Sequence, residues 1–238
     1  MSTETSSPGL EVNFLLGSVD RHLLFETSCD LLEAASLLES SYRLNANKTV
    51  NVHSVEKRLS KLEEFMLSGT LSEWGLAFTS FKLQRAYFEL RNASTFPDAH
   101  RWVQALVSCG EFVSARLYDW DYEKWQNERD VSAFLRTGRE VRGLKLVDDP
   151  LAGKRVDISR NPGRSVGGAG FRNALGHQMW FSPLFFSAVG RTPEEVTTLA
   201  QEACQEGKYL HVSFSRAPYG THNPPPEELR RKLFGEHK

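Results

Sequence analysis

The stretch WGLAFTSFKLQRAYFELRN, residues 74–92, sets the period that decides the fold. Trp74, Leu76 and Phe78 alternate with small or polar residues, and Ala86, Phe88 and Leu90 do the same. Successive side chains of a strand point to opposite faces, so period two predicts two half-buried strands, and their closeness in sequence predicts that they pair. Upstream, Glu11–Leu16 is strand-like. In FETSCDLLEAASLLESSY, Thr27 stands three residues before Asp30, a capping-box arrangement ahead of apolar residues at Leu31, Ala34, Ala35 and Leu38, which predicts a helix. Ser54 fits the cap of a second helix, VEKRLSKLEEFML, with Val55, Leu59, Leu62, Phe65 and Met66 on one stripe and Gly69 as its stop.

Downstream, FPDAHRWVQALVSCG predicts a third helix closing at Gly110, and EFVSARLYDWDYEKW returns to period two and predicts a strand. A short helix (DVSAFLRTG), a short strand (RVDIS) and a turn-rich connection (NPGRSVGGAG) follow. The last third reads as strand GHQMWF, helix TPEEVTTLAQEACQEG, strand KYLHVSFS and a helix after Pro226. Strands cluster between helices instead of alternating strictly with them. That pattern predicts an α+β fold, a single domain with a largely antiparallel sheet and several flanking helices. The expected division is a flexible N-terminus over residues 1–9 and one domain over 10–238, with a sub-boundary near 138–170.

The 238 residues, 40% hydrophobic and 25% charged, suffice for a core without staples. A net charge of −1 gives no overall field to attract nucleic acid or an anionic membrane. The three cysteines, Cys29, Cys109 and Cys204, are far apart and odd in number, which fits a reducing cytoplasm better than a disulfide scaffold. MSTETSSPGLEV lacks the apolar region of a signal peptide. The longest apolar run, Met179–Val189, is about half the roughly 20 residues needed to span a bilayer, so no membrane role is expected.

Gly163-x-Ser165-x-Gly167 has the spacing of a hydrolase nucleophile elbow, but Pro162 before it and the glycines after it do not supply the required strand-to-helix turn. The same segment lacks the G-K-[ST] of a phosphate loop and the third glycine of a dinucleotide site, so no cofactor is expected. Arg160, Arg164 and Arg172 stand around it and could contact an anion or an acidic partner. The seven histidines show no i,i+2 or i,i+4 pairing, so no metal site is predicted, although ligands can converge from distant segments. Asp119 and Asp121 share a face of the expected strand, where they could bind a hard cation or keep an edge strand wet. Glu206-Gly-Lys208 has a nuclease-like spacing, but it falls at an expected helix end where glycine and lysine already serve as terminators.

The segment Tyr118-Asp-Trp-Asp-Tyr-Glu-Lys-Trp125 carries the strongest binding signature. As a strand it would set Tyr118, Trp120 and Tyr122 on one face and Asp119, Asp121 and Glu123 on the other. Such aromatics either anchor a partner or fill the core, and both readings stay open. With YDWDYEKW, and with GHQMWFSPLFF leading into TPEEVTTLAQEA, the chain resembles bacterial toxin-neutralising immunity proteins, including those paired with contact-dependent or type VI secretion effectors. The resemblance implies a stoichiometric inhibitor without turnover, whose partner is a cognate toxin. Trp120, Tyr122 and Trp125 would supply burial, while Asp119, Asp121 and Glu123 would steer a basic surface. Two alternatives remain: a small hydrolase or transferase using 160–177, and a nucleic-acid binder using 139–172, where eight Lys/Arg face four Asp/Glu.

Overall fold

The computed structural model describes residues 7–79, 82–150, 153–168 and 170–235. In chain order it contains β1 (Pro8–Leu15), α1 (Arg21–Ala34), β2 (Ser41–Leu44), β3 (Lys48–Asn51), α2 (Val52–Glu56), β4 (Phe65–Ser68), β5 (Ser72–Phe78), β6 (Leu83–Leu90) and α3 (Ala99–Leu106). There follow β7 (Phe112–Asp119), α4 (Trp120–Asn127), α5 (Val131–Arg136), β8 (Leu146–Asp149), β9 (Gly153–Val156), β10 (Val166–Gly168), β11 (Phe171–Asn173), β12 (Gln178–Phe181), α6 (Pro183–Val189), α7 (Pro193–Thr197), β13 (Glu202–Glu206), β14 (Tyr209–Ser213) and α8 (Glu227–Phe234). Ten strands form one sheet in the order β13-β14-β12-β7-β1-β6-β5-β4-β2-β3. Every paired neighbour in it is antiparallel. The α+β class is therefore as the sequence predicts, and the strands of 74–92 pair as expected, with Trp74 opposite Phe88 and Leu76 opposite Ala86. Phe78 is the exception to the buried stripe, at 40% exposed.

Alternation sorts the two faces of the sheet. Leu10, Val12 and Phe14 of β1 meet Trp74, Leu76, Ala86 and Phe88 in a core roofed by α1 and α3. Trp74 anchors it, edge-on to Tyr42 and Phe65 and stacked on Phe88. On the opposite face, β12 and β14 contribute Met179, Phe181, Leu210 and Val212 to a second core with Phe185, Phe186, Leu233 and Phe234 from α6 and α8. Beside this second core, the same face of β1 and β7 carries Glu11, Asn13, Ser114 and Arg116, all buried. A smaller cluster of Phe134, Val156 and Ile158, with Trp125 and Leu144 against it, holds α5 and the β8–β9 hairpin.

Several expected elements are corrected. The helix expected over 55–67 stops at Glu56: Asn51, not Ser54, caps it by accepting from His53 N at 3.0 Å, and Phe65 and Leu67 then pair with Leu76 and Trp74 as strand β4. Ladder pairing next to the tryptophan outweighs the helical propensity of the lysines and glutamates. The helix at Leu31 begins earlier, with Asp20 accepting from His22 N and Leu23 N, so the Thr27 cap is not used. The helix over 192–207 ends at Thr197 despite a capping box between Thr192 and Glu195, because Glu202–Glu206 leaves to pair with β14. Gly207, at φ +57°, makes the turn of that hairpin, so Glu206-Gly-Lys208 is a hairpin corner and not a helix end. The RVDIS strand lies slightly earlier, and β1 starts at Pro8, inside the segment expected to be flexible; residues 1–6 of that segment lie outside the described residues.

Candidate functional site

The segment 118–125 is not one strand. The strand ends at Asp119, whose carboxylate accepts from Tyr122 N at 2.9 Å and caps α4. An aspartate followed by Asp121 and Glu123 in the first turn is a favourable helix start, because carboxylates satisfy the free N–H groups and complement the dipole there. The two-faced distribution of aromatics and acids is thus replaced by a helical one. Tyr118 is the last buried residue of β7, where Arg116 stacks on its ring at 4.5 Å and its hydroxyl donates to Glu89 Oε1 at 3.3 Å. Tyr122 packs on the loop before β10, where a Cβ on Gly163 would stand 2.6 Å from its ring. Burial pushes its phenol up to about 12.

Glu123 turns inward. It accepts from Arg116 Nη1, from Arg116 Nη2 at 2.6 Å and from Arg172 Nη2 at 3.0 Å. Behind it, Glu11 Oε2 accepts from Arg116 Nη2 at 3.0 Å, Arg172 Nη1 at 2.6 Å and Arg85 Nη1 at 3.5 Å. Burial alone would raise the Glu11 carboxyl, but Arg116, Arg172 and Arg85 outweigh it and hold it well below the usual carboxylate range. This cluster ties β1, β6, β7, α4 and β11 together. Loop contacts add to it: Asn127 Nδ2 donates to Gly163 O at 3.1 Å, Asn127 Oδ1 accepts from Ser165 N at 2.6 Å, and Asn161 Nδ2 donates to Gln126 O at 2.8 Å.

The outer side of α4 is what remains open. Lys124 is exposed, and its ammonium lies 4.8 Å from the Trp120 ring centre and 5.2 Å from that of Trp125. Arg139 stacks on Trp125 at 4.2 Å and pairs with Asp121 at 3.2 Å. The sequence reading included the aromatics and acids but missed Lys124 and Arg139 as their partners. It also missed Glu11 and Arg116, since nothing in a single strand's alternation distinguishes a buried charge from a solvent-facing one.

The three arginines grouped by sequence are separated by the fold. Arg172 is in the buried ion cluster, Arg160 is exposed on a turn, and Arg164 makes a two-pronged pair with Glu227 at 2.7 and 2.9 Å. Arg164 also lines a cleft of about 560 Å³ with Arg129, Arg155, Arg230 and Arg231, opposed by Asp157 and Glu227. Burial, then the neighbouring Arg164, lowers the Arg230 guanidinium to about 10. Ser165 leads into strand β10, not into a helix, and its hydroxyl accepts from Arg172 Nε at 2.6 Å. A guanidinium cannot take the proton of a nucleophile, so this contact does not activate the serine.

The fold and this face together define a mixed α+β protein in which a short helix is fastened by buried ion pairs to the centre of a ten-stranded antiparallel sheet. In fold it is similar to a solved structure described as Pseudomonas aeruginosa T6SS protein PA0821, with a TM-score of 0.50 and 10% identity, covering 96% of this chain and 72% of that one. No protein-family model and no curated protein matches the sequence. No helix among the described residues is long and apolar enough to cross a membrane.

Proposed function

We propose that the chain is an immunity protein that binds and neutralises a cognate bacterial toxin by one-to-one contact in the cytoplasm, using the outer face of α4. The observation that carries this reading is the division of labour along that helix: Glu123 is locked inward on two arginines, while Lys124 on the next position is exposed between Trp120 and Trp125. A helix held this way presents its aromatics with little orientational freedom to lose, which is the condition under which tryptophan and charged side chains become strong binding anchors. Asp121 and Arg139 flank the aromatics with both signs of charge, suited to fixing register on a partner. The description of the structural neighbour as a type VI secretion system protein accords with this setting.

The test is capture of a partner from lysate of the source organism with the tagged protein as bait, followed by binding and inhibition assays on the enzyme that co-purifies at equal stoichiometry. Trp120→Ala and Lys124→Ala should each weaken the complex, by about 1–4 kcal/mol for an anchor of this kind, with thermal stability retained. An inhibited toxin whose affinity is indifferent to both substitutions would remove α4 from the interface. Hydrolysis lost in Ser165→Ala while the variant stays folded, in place of a captured toxin, would support the enzyme alternative.

A further inference from the structure

At the far edge of the sheet, three separate segments bring metal-type donors together. His100 is the second residue of α3, Glu206 ends β13, and His211 lies in β14. Their donor atoms lie within 4.8 Å of one another, with His100 Nε2 3.2 Å from Glu206 Oε2 and His211 Nδ1 3.7 Å from Glu206 Oε1. We propose that His100, Glu206 and His211 form a binding site for a divalent transition-metal ion of the zinc type, which fastens the edge hairpin β13–β14 to α3.

Two imidazoles and one carboxylate are a recurrent ligand set for zinc and its neighbours in the first transition row. Ligand atoms about 2.0–2.2 Å from a tetrahedral zinc ion stand roughly 3.3–3.6 Å apart, so the present donors, all within 4.8 Å of one another, must close by at most about 1.5 Å. The hydrogen bonding leaves the site electron-rich. Gln104 Nε2 lies 2.8 Å from His100 Nε2, a contact in which the amide N–H donates and the ring nitrogen accepts. That ring nitrogen and Glu206 Oε2 are then two acceptors facing each other. Glu206 Oε2 is sealed from solvent without a hydrogen-bond partner among the described residues. Groups left in this state cost free energy that a cation would recover.

The surroundings hold the ligands in place. Trp180 stacks on His211 with ring centres 4.6 Å apart and planes 12° from parallel, fixing the imidazole plane. Ladder pairing sets Glu206 opposite Tyr209 and Cys204 opposite His211, which fixes Glu206 and His211 on one face of the hairpin. Metal entry requires Gln104 to release His100, a rotation of one exposed side chain. Histidines at positions 100 and 211 have no motif spacing, which is why the sequence gives no sign of them.

The experiment is titration of the chelator-treated full chain with CoCl2, followed by ZnCl2 as competitor. One Co²⁺ per chain should bind with visible absorption of low-symmetry cobalt, and Zn²⁺ should displace it and raise the melting temperature. His100→Ala, Glu206→Gln and His211→Ala should each weaken binding by more than the about 10–100-fold that loss of a hydrogen-bond partner behind a ligand costs. Gln104→Ala should bind at least as tightly as the parent. The His100 side chain is 39% exposed, so His100→Ala leaves the core intact and remains readable if His211→Ala does not fold. Absence of stoichiometric Co²⁺ binding, or binding unchanged in His100→Ala and Glu206→Gln, would overturn the proposal.

Discussion

Arg172 Nη1 lies 2.6 Å from Glu11 Oε2 across a separation of 161 residues, joining the first strand to the β10–β11 hairpin. Glu11 is fully buried and, among the described residues, its charge is balanced by Arg85, Arg116 and Arg172. Replacing one member of such a group strands the others without water, at about 3–5 kcal/mol. Glu11→Gln should therefore lower unfolding stability by that order, measured by urea denaturation at neutral pH. A loss under about 1 kcal/mol would mean that water reaches the cluster.

Ser165→Ala removes the acceptor for Arg172 Nε and leaves that guanidinium N–H buried. Hydrogen bonds to charged groups contribute about 1.5–3 kcal/mol, so a loss in that range is expected in the same denaturation assay. A variant as stable as the parent would show that the serine does not orient Arg172.

Glu89 gives the stability a pH dependence. Burial, and next the nearby Glu73 carboxylate, raise its carboxyl from 4.5 to about 8. The folded chain thus keeps a proton that the unfolded chain has lost, and stability falls as pH rises from about 4.5 through about 8. Glu89→Gln should abolish this fall while keeping the contact with the Tyr118 hydroxyl. Melting temperatures of the two chains should converge near pH 4 and separate in favour of the variant above pH 8; parallel curves would refute the shift.

Gly75 is required by close approach, not by an unusual dihedral. A Cβ there would stand 2.1 Å from the Phe65 carbonyl oxygen, a backbone atom of the paired strand. Gly75→Ala should force β4 away from β5 and open the Trp74 core, with a loss above the roughly 1–3 kcal/mol usual for overpacking. Intrinsic tryptophan fluorescence would report the opening. An unchanged emission maximum and midpoint would show that β4 can shift without cost.

The legible part of the fold was the part governed by alternation. Trp74, Leu76, Ala86 and Phe88 identified paired strands because their spacing and burial agree. Where sequence and structure part, a long-range partner decides: Phe65 and Leu67 have a helical setting but pair beside Trp74, and Glu202–Glu206 has a helix ahead of it but pairs with β14. At α4 the period-two pattern holds only as far as Asp119, which is both the last residue of the strand and the cap of the helix that replaces it. The burial of Glu11 is not legible in β1 because its three arginines come from other strands. The histidine cluster left no trace in the sequence for the same reason.

The central position of β1 has a consequence for synthesis. Its ladder partners, β6 and β7, begin at Leu83 and Phe112, and its buried carboxylate receives its last counterion from residue 172. At translation rates of about 5–20 residues per second, the 161 residues between Glu11 and Arg172 take roughly 8–32 s to emerge. Until β7 has emerged, Leu10, Val12 and Phe14 lack one of their two ladder partners, so the nascent chain carries an adhesive apolar strand through much of that interval. Ribosome-bound chaperones that shield such strands are therefore expected to govern the yield of this protein more than its final stability does.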